Sequence, residues 1–282
     1  IREWGMSRDE EIEYAQARSL PLNRGNSRFS VDENLWGRAV EAAELEDPWL
    51  EPPADAFAWT RPSTETPQEP AYLEIHFERG VPLSVDGESM SGPNLIRHLN
   101  ALAGSHGVGR IDHLENRLVG IKSREIYEAP AAVVLHTAHK ALEAMTLTKE
   151  QARTKARIAQ EYADLVYNGL WFTLHRQDLD AYVGSTQRHV TGDVRLRLHK
   201  GACTVVGRSA PHSLYRYELA TYDREDRFDH NAAEGFISIY GLPVRTQNRA
   251  QPDLEACGQA WRVRPAAVAD MAAIEVLVAA VG

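Results

Sequence analysis

Two segments of the sequence alternate apolar and polar residues as the two strands of a β-hairpin do. The first segment, at 73–85, is interrupted by Arg79-Gly80, a pair suited to a turn, and the second lies at 193–207. Alternation with a period of two places the apolar side chains on one face of each strand. The apolar positions are Leu73, Ile75, Phe77, Val81, Leu83 and Val85 in the first segment and Val194, Leu196 and Leu198 in the second. Because hairpins pair strands in opposite directions, the sequence predicts antiparallel sheets.

Five segments have the apolar spacing and the end signals of amphipathic helices. We expect them at 7–20 with Ser7 as N-cap, from Pro93 to a cap at Gly104, from Pro130 onward, from a capping box of Thr148 and Gln151 to Asn168-Gly169, and at 176–188. The helices do not alternate regularly with strands. The sequence therefore predicts an α+β fold in which antiparallel hairpins pack with long helices.

Three segments lack such regularity. We expect a loop at 23–37 that leads into a short helix within WGRAVEAAELE, which begins at Trp36. The six prolines within 48–70 predict an irregular connector. At 246–282 a polar stretch precedes Ala-rich amphipathic sequence, and we expect a helical tail that packs on a partner or is poorly ordered.

Composition excludes several classes of function. The 282 residues carry a formal net charge of −9, which is unfavourable for binding a phosphate backbone. Cys203 and Cys257 are far apart and form no C-x-x-C pair, so neither a disulfide framework nor a zinc module is indicated. No run approaches the roughly 18 apolar residues of a membrane span. We expect a cytoplasmic protein that binds neither nucleic acid nor membranes.

Some motifs have a structural and a functional interpretation. His136 and His139 are three residues apart on an expected helix, a spacing that can bind a metal, but no third ligand is evident. GSHGVG at 104–109 could cradle a phosphate, yet it follows a helix rather than a strand. We favour structural histidines and a turn, and we assign no metal ligand and no catalytic residue.

The most unusual stretch is HGVGRIDHLENRLVGIKSREIYE at 106–128. We expect LVGI, at 118–121, to be a short buried strand-like element with charged residues at both ends. Glu115 could pair with the ammonium group of a ligand, and Tyr127 could add a hydroxyl and a ring wall. From the residues alone, a network of salt bridges and a ligand site both remain open.

Six blocks of sequence resemble the argininosuccinate synthase family, in the family's order and with plausible spacing. They are FSVDENLWGRAVEAAELEDP (29–48), HGVGRIDHLENRLVGIKSREIYEAP (106–130), DLVYNGLWF (164–172), TQRHVTGDVRLRLHKG (186–201), SLYRYELATYD (213–223) and AAEGFISIYGLP (232–243). The resemblance covers roughly residues 1–245, and several of the motifs are long and specific.

The resemblance implies an ATP-dependent ligase of arginine biosynthesis that joins citrulline to aspartate. In this family the ureido oxygen of citrulline attacks the α-phosphate of ATP, pyrophosphate leaves, and the aspartate amine then displaces AMP. Such chemistry depends on positioning and on stabilising developing charge. The resemblance also implies ATP with Mg²⁺ as co-substrate, a cytoplasmic location and a homotetramer.

Three residues match family positions that contact citrulline. Glu115 would meet the α-ammonium group, Tyr127 would contact citrulline beside it, and the Ser30 hydroxyl would serve a further polar group. Where many family members have a second contacting serine, this chain has Ala39. The loss of that side-chain hydrogen bond costs about 0.5–1.5 kcal/mol.

The family's ATP loop, SGGLDTS, occurs nowhere in these residues. The resemblance therefore implies the C-terminal part of the enzyme: a remnant of the nucleotide-binding domain at 1–22, a synthetase and multimerisation domain at 23–245, and the tail at 246–282. We expect no argininosuccinate synthesis by this chain alone. The alternative hypothesis is a non-catalytic oligomerisation scaffold with an incomplete ligand site.

Overall fold

The computed structural model describes residues 5–6, 8–20 and 28–251 and divides the chain into two compact units, 1–216 and 217–282. In chain order, the described part of the first unit contains α1 (Arg8–Ala17), β1 (Ser30–Glu33), β2 (Arg38–Glu41), β3 (Ala71–Glu78), β4 (Val81–Val85), β5 (Glu88–Ser89), α2 (Gly92–Ser105), β6 (Arg110–Asn116), β7 (Lys122–Glu128), α3 (Pro130–Thr146), α4 (Lys149–Tyr167), α5 (Leu174–Thr186), β8 (Gly192–His199) and β9 (Ala202–Ser209). The second unit contains α6 (Tyr217–Ala220), α7 (His230–Tyr240) and α8 (Leu242–Ala250). The α+β prediction is confirmed.

The two predicted hairpins form most of a five-stranded antiparallel sheet with the strand order β5-β4-β3-β8-β9. The inward residues of β3 and β8 are buried against α2 and α3, as the alternation predicts. Val81 and Leu83 of β4 are exposed, because the pairing of β3 with β4 shifts by one residue between His76 and Phe77. A shift of one residue moves the side chains of a strand to its other face.

A second antiparallel sheet has the strand order β1-β2-β7-β6. Here the predictions of a loop over the described residues 28–37 and of a helix in WGRAVEAAELE are wrong, since 30–33 and 38–41 are paired strands. Residues 23–27 of the expected loop lie outside the described residues. Only a short 3-10 helix, Ala43–Glu46, follows β2. Val40 of β2 is fully buried beside Ile126 of β7, so tertiary packing outweighs the helix propensity of this segment.

The irregular connector that the prolines predict is confirmed, and buried ionic groups hold it to the second sheet. The fully buried carboxylate of Glu128 accepts hydrogen bonds from Arg38, from the backbone N–H groups of residues 58–60 and from the Thr60 hydroxyl, at 2.6–2.9 Å. Arg124 donates to the carbonyl oxygens of Asp47 and Leu50 and forms an ion pair with Asp112.

The turn between β6 and β7 corrects a second expectation. LVGI is not a buried element: Leu118 and Val119 are each 76% exposed, at the tip of the hairpin. The backbone N–H of Arg117 donates to the carbonyl of Ile121 at 2.8 Å, and Gly120 has φ +83°. A positive φ favours glycine, so Gly120 marks the reversal of the chain.

The helix signals are confirmed where they fall on described residues. Thr148 and Gln151 form a reciprocal capping box at the start of α4, and Asn168 caps its end. The helix expected at 176–188 begins two residues earlier and ends at Thr186. The helix that begins near Pro93 runs past the expected cap at Gly104 and ends at Ser105. Ser7, the expected N-cap of α1, and the tail beyond residue 251 lie outside the described residues.

In the second unit, α7 and α8 bury no residue, and the large apolar residues of α7 are exposed. Within the part of the chain that the structure describes, no helix combines the length and apolar character needed to span a bilayer. The domain boundaries expected at 22/23 and 245/246 stay predictions.

Candidate functional site

The alternation of side chains in the four-stranded sheet builds a polar face. Register pairs Asp32 with Ala39 and Ala39 with Tyr127, so these three residues stand in one row across β1, β2 and β7. Residues two positions along a strand point to the same face, which places Ser30 and Glu41 beside that row. The opposite face carries the buried Val40 and Ile126 and the ionic groups that hold the connector.

This polar face forms one wall of a cavity of about 230 Å³. All three residues predicted to contact a ligand line it, and so does Ala39. The lining residues are Ser30, Asp32, Ala39, Glu41, Glu115, Arg117, Glu125, Tyr127 and Tyr167. Four of these side chains are carboxylates and one is a guanidinium, so the cavity has the charge to attract a cationic group.

Glu115, on β6, is only 7% exposed, and its carboxylate contacts the hydroxyl groups of two tyrosines. Its Oε2 lies 2.8 Å from the hydroxyl of Tyr127, and its Oε1 accepts a hydrogen bond of 3.1 Å from the hydroxyl of Tyr167. Burial acts to raise the pKa of Glu115, but the hydrogen bonds with Tyr127, Tyr167 and Glu125, together with the charge of Arg117, outweigh it and leave the pKa lowered. Glu115 therefore presents a negative charge in a largely desolvated position.

Glu125, two residues before Tyr127 on β7, is the second buried carboxyl group of the cavity. Its Oε2 lies 2.9 Å from the hydroxyl of Tyr127, and its Oε1 accepts a hydrogen bond of 2.9 Å from Arg117. Burial raises the pKa of Glu125, and the nearby Glu115 carboxylate adds to the rise, against the hydrogen bond from Tyr127. Burial, together with the two carboxylates, also raises the pKa of Tyr127, which keeps the phenol protonated.

Arg117 is the one basic residue in the lining. Its guanidinium donates to Glu41 at 2.8 Å, to Glu125 at 2.9 Å and to the hydroxyl of Ser123 at 2.8 Å, and it lies 3.5 Å from Glu115. Several acidic partners thus share a single positive charge. The salt-bridge network and the ligand cavity that the sequence left as alternatives occupy the same place.

Other charged residues of the stretch 106–128 lie outside this cavity. Lys122 and Arg124 line a neighbouring cavity of about 630 Å³, which shares Ser30 and Glu41 with the first. Lys122 donates to Asn116, and Arg124 holds the connector, so the structure gives Arg124 a role in the local fold.

Sequence reasoning missed Glu125 and Tyr167. The two-residue spacing of Glu125 from Tyr127 places both on one face of β7 and could have indicated Glu125. Tyr167 is the last residue of α4, directly before the Asn168-Gly169 stop signal. Nothing in the local sequence indicates that this end of the helix meets β6.

The weaker motifs have structural roles. His139 hydrogen-bonds Gln187 at 2.9 Å, and His136 stacks edge-on against Trp36. In the GSHGVG segment, a Cβ on Gly109 would lie 2.5 Å from the backbone nitrogen of Pro130, so glycine permits close packing there. Among the residues described, no group of three or more His, Cys, Asp or Glu side chains is arranged to hold a metal ion.

Comparison with known proteins gives a family match over most of the chain. Residues 29–247 match the arginosuccinate synthase C-terminal domain. The chain is 57% identical over 255 residues to an argininosuccinate synthase of Dehalococcoides mccartyi, which covers 90% of this chain and 63% of that protein. It is 56% identical over 252 residues to the argininosuccinate synthase of Symbiobacterium thermophilum, with 89% and 63% covered. The chain thus spans about 63% of the length of these curated relatives.

Proposed function

The chain belongs to the argininosuccinate synthase family, and we propose that it forms the part of such a ligase that binds citrulline. The observation that carries the proposal is that Ser30, Glu115 and Tyr127 line one small acidic cavity. The three residues come from different strands of one sheet, and only the fold brings them together.

The geometry suits the amino-acid end of citrulline. Glu115 offers a buried carboxylate for the α-ammonium group, and a charge pair in a partly desolvated site is stronger than one in water. Tyr127 and Tyr167 hold that carboxylate in place, so the charge is oriented before the ligand arrives. Ser30 adds a half-buried hydroxyl at the edge strand of the same face.

The proposed reaction is the ligation of citrulline and aspartate, driven by the conversion of ATP to AMP and pyrophosphate. Here this chain's own contribution is to bind and orient citrulline, so that its ureido oxygen can reach the α-phosphate. ATP with Mg²⁺ and aspartate are proposed as the other reactants. A cytoplasmic location, a homotetramer and a role in arginine biosynthesis belong to the same proposal.

The test is binding of citrulline to the purified chain, measured by isothermal titration calorimetry. We expect Glu115→Gln to weaken binding at least about tenfold, because the variant keeps the shape of the side chain and removes its charge. Glu88→Gln on β5, outside the cavity lining, is the matched control and should bind as the wild type does. Unchanged binding by Glu115→Gln, or no binding by the wild type, would contradict the proposal.

A second assay addresses the reaction itself. Pyrophosphate release is measured with ATP, citrulline and aspartate, and we expect none from this chain alone. Turnover by the chain alone would show that residues within it also bind ATP.

A further inference from the structure

The three-way contact between Tyr127, Glu115 and Glu125 needs one more proton than the phenol supplies. The hydroxyl oxygen of Tyr127 lies 2.8 Å from Glu115 Oε2 and 2.9 Å from Glu125 Oε2. A phenol carries one proton and can also accept a hydrogen bond. With both carboxylates ionised, one of these contacts would place two oxygens at hydrogen-bond distance with no hydrogen between them.

The remaining contacts indicate which carboxyl group holds the additional proton. Glu115 accepts on both oxygens, from Tyr127 and from Tyr167. Glu125 accepts from Arg117 on Oε1, while its Oε2 faces the Tyr127 hydroxyl. A proton on Glu125 Oε2 would be donated to the oxygen of Tyr127, whose own proton goes to Glu115.

We propose that Glu125 carries this proton in the unliganded cavity and releases it when the ammonium group of citrulline binds. The identity of the ligand rests on the function proposed above. Glu125 is then a specificity-determining residue, because the proton that it releases is replaced in the cavity by the cationic group of the ligand. The proton passes from the Glu125 carboxyl group to water, and no covalent bond of the ligand changes.

The charges around the cavity support this exchange. Arg117 contacts Glu41, Glu115 and Glu125, so a single guanidinium faces three carboxyl groups. A proton on Glu125 removes one negative charge that Arg117 cannot balance, and an ammonium group would later balance it instead. The opposite pKa shifts of Glu115, lowered, and Glu125, raised, agree with this assignment.

The titratable groups that surround Glu125 and Tyr127 come from several elements of the fold. Around Glu125 and Tyr127 stand Asp32 from β1, Glu41 from β2, His113 and Glu115 from β6, Arg117 from the hairpin turn and Tyr167 from α4. Apart from Arg117, His113 is the one group in this set that can become cationic, and its ring centroid lies 6.5 Å from that of Tyr127.

The first measurement needs no ligand. The chain is labelled with ¹³C at its glutamate carboxyl groups, and each resonance is followed by NMR from about pH 4 to about pH 9. We expect one glutamate to titrate above the usual range, and we expect its signal to be missing in Glu125→Gln and present in Glu88→Gln, an exposed site outside the cavity lining. If the Glu125 signal titrates in the usual range or below it, the proposal is overturned.

The second measurement counts protons. Citrulline binding is measured by calorimetry at about pH 5.5 in two buffers that differ in ionisation enthalpy. The wild type and Glu88→Gln should release protons when citrulline binds, and Glu125→Gln should release none. Since the proton count of the wild type requires no variant, it remains decisive if Glu125→Gln fails to fold. Citrulline binding without proton release overturns the proposal.

The pH dependence follows from the same exchange. Below the raised pKa of Glu125, wild-type affinity should rise with pH, by up to about tenfold per unit, because ionisation is then linked to binding. In Glu125→Gln the affinity should be nearly constant. A protonated Glu125 in a chain that does not bind citrulline would overturn the proposed function and the release step, while the position of the proton would stand.

Discussion

At the scale of single residues, Ala39 is a place where the cavity can be improved. It is half-buried, stands directly opposite Tyr127 across the strand pair and lines the cavity. We predict that Ala39→Ser tightens citrulline binding by about threefold to tenfold, because a hydroxyl there gains one hydrogen bond to the ligand. Calorimetry of the wild type and the variant measures the change.

The control for this prediction is Ala54→Ser, an exposed site in the connector and outside the cavity. It should leave binding unchanged. Equal or weaker binding by Ala39→Ser would mean that the ligand does not reach this row of the sheet.

Glu128 shows how a buried charge can be structural. Its carboxylate is fully buried and accepts five hydrogen bonds from Arg38 and residues 58–60. We predict that Glu128→Gln lowers the free energy of unfolding by about 3 kcal/mol or more, because Arg38 keeps its charge without a buried partner and the new amide faces other donors. Urea denaturation measures the loss.

The exposed Glu88→Gln serves as the comparison and should change the stability by no more than about 0.5 kcal/mol. A loss from Glu128→Gln as small as this would show that the connector is held by other contacts.

At the scale of elements, the predictable parts are those whose signals are local. The hairpins at 73–85 and 193–207 and the capping box of α4 depend on alternation, a turn and a cap, each contained in a short window. β1 and β2 are four-residue strands that pair with each other, and the pairing of β2 with β7 joins positions almost ninety apart along the chain (Val40 with Ile126). No local window contains the pairing with β7, so the segment of β2 was predicted as a helix. The segment of β1 was predicted as a loop because it lacks clear periodicity.

The residues of the candidate site also divide into those that the sequence predicts and those that only the structure identifies. Ser30 was expected from the resemblance alone. The residues by themselves indicated Glu115 and Tyr127 as candidate ligand contacts and left a salt-bridge network open as the alternative. The structure adds Glu125 and Tyr167, which reach the cavity through strand alternation and through the packing of the end of α4 near β6. The exposed tip at Leu118 could not be distinguished by sequence from a buried strand, since both present short apolar runs.

Helix α3 provides a pH prediction. Burial lowers the pKa of His136, with Lys140 adding to the effect, and burial also lowers the pKa of His139 although Glu143 opposes it. Below the ordinary histidine pKa of about 6.5, the two histidines bind more protons in the unfolded chain than in the folded chain. Their contribution to the free energy of unfolding should therefore be complete above about pH 6.5 and should decrease as the pH falls. Urea denaturation at about pH 7.5 and about pH 5.5 tests this.

In the double variant His136→Gln and His139→Gln, the decline between these two pH values should be smaller than in the wild type. His98→Gln on α2, an exposed site, should keep the wild-type decline. An equal decline in the double variant would assign the acid sensitivity to other groups.

At the scale of the whole molecule, the second unit exposes a helix with large apolar side chains. In the second unit, α7 exposes Phe236, Ile237, Ile239 and Tyr240 within five consecutive positions. Large exposed apolar patches mark surfaces that another protein covers. The apolar side chains of α7 support the proposal of a homotetramer, and subunit contacts should be sought there.

The apolar face of α7 gives the test of that proposal. We predict that the wild type has the mass of four chains in size-exclusion chromatography with light scattering. Ile237→Glu should shift the mass toward smaller species, because a charge in an apolar interface loses its water without gaining a partner. Asn231→Glu, at an exposed position in the first turn of the same helix, adds the same charge and should keep the wild-type mass. A monomeric wild type would rule out the tetramer, and an unchanged mass in Ile237→Glu would move the contact away from α7.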